Sequence, residues 1–138
     1  MKKAYPVIFT ETEEGDFLVE VPDMEILTEG KNIEDAVVMA RDAIGMKGIG
    51  LEDGKKPIPE ASKLSEIDLS KGTFAEEGQS LVALVDIDFD EYRRRNDRRM
   101  VRRNVTLPRW LDVAANEAGF NVSQVLREAL AERLHVML

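Results

Sequence analysis

At 138 residues and 43% hydrophobic content, the chain is long enough for one ordinary domain or two small ones. It has no cysteine and a single histidine, which excludes a disulfide framework, a thiolate metal site and a thiol nucleophile. The net charge of −8 is split unevenly: residues 1–90 hold 9 basic against 21 acidic side chains, net −12, and residues 91–138 hold 10 against 6, net +4, the pattern of an acidic body with a basic, nucleic-acid-binding tail.

Met1-Lys2-Lys3-Ala4-Tyr5-Pro6 lacks the apolar stretch of a signal peptide, and no apolar run approaches the ~20 residues that span a bilayer. A cytoplasmic protein without membrane contact is expected. Residues 4–10 read as a strand from their β-branched and aromatic content, with Pro6 suggesting an edge or a bulge. Glu11 to Asp16 is a hairpin turn, residues 17–21 alternate with Phe17, Val19 and Val21 on one face, and a third strand follows at about 25–29. Asn32 is the expected N-cap of a helix carrying Glu34 and Asp35 in its first turn. Ile33, Ala36, Val37, Ala40, Ala43 and Ile44 make its apolar stripe, and Gly45, Gly48 and Gly50 weaken its far end. Residues 53–79 read as an irregular connection, and residues 81–89 as a strand with Leu81, Ala83, Val85, Ile87 and Phe89 on one face. The first ninety residues thus predict a β-β-β-α-β unit of the α+β class. Residues 91–101 form a basic linker in which Arg98 and Arg99 are candidate phosphate contacts.

From Arg102 the pattern is compact. Arg102 to Leu107 alternates, so Val105 and Leu107 share a buried face while Arg102, Asn104 and Thr106 share the other. Pro108 stops the strand and suits a helix start; Trp110, Leu111, Val113, Ala114 and Ala118 give that helix its apolar side, and Gly119 ends it. Ser123 is the expected N-cap of a second helix, with Val125, Leu126, Ala129, Leu130 and Leu134 as its stripe. So short a unit with one unpaired strand cannot close a core alone, so it must dimerise. Pairing the strand with its twin gives a two-stranded ribbon of the width that enters a DNA major groove. This segment, residues 102–138, resembles the ribbon-helix-helix family of DNA-binding proteins. The resemblance implies base reading by Arg102, Asn104 and Thr106, and phosphate binding by the backbone amides of Val122 and Ser123.

Residues 1–90 resemble the HicB family of antitoxins through Tyr5-Pro6-Val7-Ile8-Phe9, Gly15-Asp16-Phe17-Leu18-Val19, Val21-Pro22-Asp23, Thr28-Glu29-Gly30, Asn32-Ile33-Glu34-Asp35-Ala36, and Asp53-Gly54 followed by Pro57 and Pro59. The family's glycine-cysteine pair is replaced here by Glu25-Ile26. The resemblance implies a partial ribonuclease-H-like fold without nuclease activity and a HicA-like toxin that cleaves messenger RNA as partner. It also implies operator DNA as a second partner and a homodimer or tetramer as the assembly. No cofactor, metal site or catalytic residue is expected, and the toxin-contacting residues are not legible. Two rivals remain. A working ribonuclease H needs carboxylates converging on metal ions, one from the first strand; Ala4 to Thr10 has none, which leaves Asp16, Asp86 and Asp88. A stand-alone repressor would instead use the first unit to sense a small ligand.

Overall fold

The computed structural model describes residues 1–138, which form two compact units, Met1–Arg99 and Met100–Leu138. The chain is mixed α+β. In the first unit, β1 (Lys2–Glu11), β2 (Phe17–Val21) and β3 (Ile26–Gly30) make the expected antiparallel meander. The later strand β4 (Gln79–Asp88) returns to pair with β1, giving the order β3-β2-β1-β4. Gly15, at φ 89°, turns the first hairpin where a side chain would be strained. The reading of β1 as an edge strand is corrected: it lies inside the sheet. Pro6 is accommodated because β2 pairs only with Ile8 to Glu11, so the missing N–H falls beyond that ladder.

Strand alternation places Tyr5, Val7, Phe9, Phe17, Val19, Val21, Val85 and Ile87 on one face, covered by Ala36, Ala40 and Ile44 of α1 (Ile33–Asp53). Asn32 caps α1 as expected, its side-chain oxygen accepting the Asp35 N–H at 2.7 Å. The irregular connection after α1 is tied down at several points. The Tyr5 hydroxyl donates to the Pro59 carbonyl at 2.6 Å, and Ser62 donates to Asp23 through N–H and hydroxyl at 2.8 and 2.6 Å. Thr73 likewise donates twice to Glu20, at 2.9 and 2.6 Å, on the sheet face opposite α1. Burial of Tyr5 pushes its phenol up to about 12.

Gly45, Gly48 and Gly50 were expected to weaken the helix; α1 runs through all three to Asp53. The reason is α2 (Phe89–Asn96), begun by Asp88, whose carboxylate accepts the Asp90 and Glu91 N–H groups at 3.1 and 3.3 Å. Phe89 and Tyr92, one turn apart, press onto α1. A Cβ on Gly48 would stand 2.1 Å from Phe89 Cε1, and one on Gly45 would stand 2.5 Å from Tyr92 Cδ2. Residues 91–96, read as linker, therefore belong to the first unit. Nothing lies within 4 Å of a Cβ on Gly50. Gly50→Ala should accordingly stabilise the first unit by up to ~1 kcal/mol through helix propensity, while Gly48→Ala should destabilise it by ~1–3 kcal/mol through overpacking. Urea denaturation followed by circular dichroism measures both, and equal shifts of the same sign would refute this packing.

The second unit holds α3 (Arg109–Glu117) and α4 (Val122–Leu134). Gly119, at φ 74°, closes α3 in a Schellman turn: Phe120 N–H donates to the Ala115 carbonyl and Gly119 N–H to the Asn116 carbonyl, both at 3.1 Å. Two expectations are corrected. The N-cap of α4 is Asn121, not Ser123; its side chain accepts the Gln124 N–H at 3.1 Å. Residues 101–108 carry no strand, since a strand is a hydrogen-bonded ladder and the single chain offers this segment no partner. No helix is long and apolar enough to cross a membrane.

Candidate functional site

The second unit has almost no interior. Ala131 is its one buried hydrophobic residue, while Trp110 is 71% exposed, Leu130 53% and Val105 51%. Leu111, Val113, Phe120, Val122, Val125 and Leu134 are exposed as well, and only Leu107, Ala115, Leu126 and Val136 gain partial cover. These are the stripes of α3 and α4, so both amphipathic helices turn large apolar side chains to water. A patch of that extent marks a surface made for association.

Arg102, Asn104 and Thr106 are exposed on the extended segment ahead of Pro108, as are Val122 and Ser123 at the start of α4. The Val122 and Ser123 N–H groups make no hydrogen bond in the chain; the first helical bond runs from Val125 N–H to the Asn121 carbonyl at 3.0 Å. Free amides at the positive end of a helix dipole are suited to an anion. Moving the cap to Asn121 leaves the Ser123 hydroxyl unused, and so strengthens this feature.

The arginines divide into two sets. Arg93 donates to Glu52 and Asp53 at 3.0 Å each, Arg95 pairs with Glu91 at 2.7 Å, and Arg99 reaches Asp97 at 2.6 Å and Asp53 at 3.3 Å. The hydrogen bonds from Arg99 hold the Asp97 carboxyl well below the usual carboxylate range, and those that Arg93 donates to Glu52 and Asp53 raise the Arg93 guanidinium further. Arg94, Arg98, Arg102 and Arg103 have no acidic partner. Arg98 and Arg99, grouped together on sequence grounds, are thus different: one is free, the other is engaged by Asp97 and by Asp53 at the end of α1.

Asp16, Asp86 and Asp88 do not converge. Asp16 sits beside the hairpin at the Glu11 end of β1, whereas Asp88 pairs with Lys2 at the other end, about nine residues or ~30 Å away. Asp86 binds Arg41 at 3.0 Å, and Asp88 caps α2, whose amides lower its pKa. Both carboxylates have structural roles. One surface depression, about 570 Å³, is lined by Met46, Ile49, Gly50, Asp53 and residues 96–99.

Residues 5–130 match a family model described as HicB-like antitoxin of bacterial toxin-antitoxin system. Comparison with curated proteins found no match. Among solved structures, the chain is similar to one in a toxin-antitoxin complex from Streptococcus pneumoniae, with 24% identity, TM-score 0.62, and coverage of 96% of this chain and 99% of that one. It is also similar to the antitoxin HicB of Burkholderia pseudomallei, with 25% identity, TM-score 0.51, and coverage of 96% of each chain.

Proposed function

This chain belongs to the HicB-like antitoxin family of bacterial toxin-antitoxin systems, and on that premise we propose that it neutralises a HicA-like, mRNA-cleaving toxin by direct binding and represses its own operon. In this reading residues 1–99 grip the toxin and residues 100–138 form a ribbon-helix-helix dimer that reads operator DNA. The protein acts without catalysis, cofactor or metal.

The observation that carries the division of labour is the contrast between the units: a closed core in the first, and apolar helix stripes left open to water in the second. A second copy supplies what the single chain lacks. The extended segment 102–107 would pair with its twin, covering Val105 and Leu107 and turning Arg102, Asn104 and Thr106 outward as the base-reading set. The Val122 and Ser123 amides and the unpaired arginines would hold the flanking phosphates. The first unit, residues 1–99, holds 14 basic against 23 acidic side chains, and its net charge of −9 suits a basic, RNA-binding partner, both in steering it and in masking its RNA surface.

Light scattering should give a dimer or a tetramer; a folded monomer at micromolar concentration would overturn the ribbon assignment. Gel shifts on the protein's own promoter over a salt series test the phosphate set. Arg98→Ala should weaken binding to all sequences and reduce the salt slope by about 2, one phosphate contact per protomer. Arg99→Ala should change the slope less, because its guanidinium is already engaged by Asp97 and Asp53.

A further inference from the structure

The outer edge of β4 is an unprotected strand edge. β4 is ten residues long and pairs with β1 on one side only. Which of its backbone groups face outward follows from Pro6, which lies opposite Leu84 and has no N–H, so that pair cannot be a hydrogen-bonded one. The N–H and C=O of Leu84 therefore point away from β1, and by the period of two so do those of Ser80, Val82 and Asp86. Two contacts agree with this phase: Phe89 N–H donates to the Met1 carbonyl at 3.0 Å, towards β1, and Arg41 Nε donates to the outward Asp86 carbonyl at 2.9 Å. The outward groups of Ser80, Val82 and Leu84 find no partner in the chain.

Edges of this length are ordinarily blunted by proline, glycine bulges, lysine or inward charge. From Gln79 to Val85 there is none of these, and Leu81 and Leu84 are 48% and 54% exposed. The opposite edge, β3, has five residues and includes Glu29. At its Gln79 end the β4 edge adjoins an acidic rim: Glu13, Glu14, Asp16, Glu76 and Glu77 line one depression of about 490 Å³, and none of them has an ion-pair partner. At its other end Asp86 is paired with Arg41, and Asp88 and Asp90 are paired with the N-terminal ammonium.

We propose that this edge is the docking strand for the toxin: a strand of a basic partner adds to Ser80, Val82 and Leu84, and its flanking lysines or arginines meet the acidic rim. The inference rests on the antitoxin reading above and names the surface that reading uses. Charge selects the occupant. A second copy pairing antiparallel across a two-fold axis would set the unpaired rim at Gln79 against the far end of the other β4, residues 86–90, whose carboxylates already hold Arg41 and the N-terminal ammonium, and would bring the rim no cation of its own. A basic strand brings the rim the charge it lacks.

The test uses the full-length chain, a purified HicA-like toxin from the same genome, and two variants. Leu84→Pro removes one outward donor and leaves the β1 ladder intact; Leu84→Lys places a gatekeeper charge at an exposed position and cannot disturb the core. Wild type should bind the toxin, and each variant should bind at least ~10-fold more weakly while binding promoter DNA normally. Should Leu84→Pro lose its fold, Leu84→Lys decides. A wild-type chain that fails to bind would overturn the antitoxin reading itself. A wild-type chain that binds, with Leu84→Lys binding equally well, would overturn the docking strand alone. If Leu84→Lys reduces the oligomer's size without changing toxin affinity, the occupant is a second copy and the proposal is again overturned.

Discussion

Leu130→Asp in α4 is expected to convert the assembly to monomers and to abolish operator binding while leaving residues 1–99 folded. Leu130 is half-exposed in the single chain and lies on the apolar stripe that the proposed second copy would cover. Burying a leucine contributes ~1.5–3 kcal/mol, and a symmetric dimer loses that contribution twice. The loss alone, ~3–6 kcal/mol, weakens dimerisation by about 10²- to 10⁴-fold, before the added penalty of desolvating a carboxylate. Sedimentation velocity would show the monomer, and a far-ultraviolet circular dichroism spectrum retaining the first unit's strand signal would show that its core is untouched. Leu130→Met, which conserves volume, should behave like wild type. A dimer that survives Leu130→Asp would place the self-association elsewhere.

The second large effect is on sequence reading. Asn104→Ala and Thr106→Ala each remove a side chain able to bond a base edge, worth ~1–3 kcal/mol per good contact and present twice per dimer. Operator affinity should fall by roughly 30-fold to 10⁴-fold in the double variant even if only some contacts are bidentate. Binding to unrelated DNA, carried by arginines and helix amides, should change little. Neither side chain contributes to a core, both being exposed, so the oligomer should be unaffected. Gel shifts with operator and scrambled duplexes at one salt concentration measure the ratio. Equal losses on both duplexes would mean that the segment positions the protein without reading bases.

Much of the first unit was legible because local chemistry and tertiary structure agree there. Asn32, the β1–β2 turn, the alternation of β2 and the apolar stripe of α1 each specify their element from neighbours a few residues away. What was not legible depends on contacts far along the chain. The glycines of α1 look like breakers until Phe89 and Tyr92 are placed against them. The helix carrying those two residues was itself visible in outline: Asp88 as cap, Asp90 and Glu91 in the first turn, and Arg93 to Arg95 in the last complement its dipole. A run of arginines drew attention away from that signal.

Pro6 shows the same limit from another side. A proline within a strand does argue for an edge, yet the local rule concerns one N–H, and here only part of an interior strand lacks a neighbour. The order β3-β2-β1-β4, and with it the open edge of β4, follows from which strand the connection returns to. For the candidate DNA-reading set, sequence supplied Arg102, Asn104 and Thr106 through alternation and the proline that follows. It could not separate Arg98 from Arg99, because the carboxylates that engage Arg99 include Asp53, at the end of α1.

In the proposed function one chain carries two separable modules, a toxin-binding unit closed by its own core and a DNA-binding unit closed only by a second copy. The most direct measurement is growth rescue by residues 1–99 and by the full chain, each co-expressed with a HicA-like toxin from the same genome, alongside a promoter gel shift for both. Residues 1–99 should restore growth as the full chain does and show no shift on the promoter. Rescue that requires residues 100–138, or a promoter shift by residues 1–99 alone, would contradict this division.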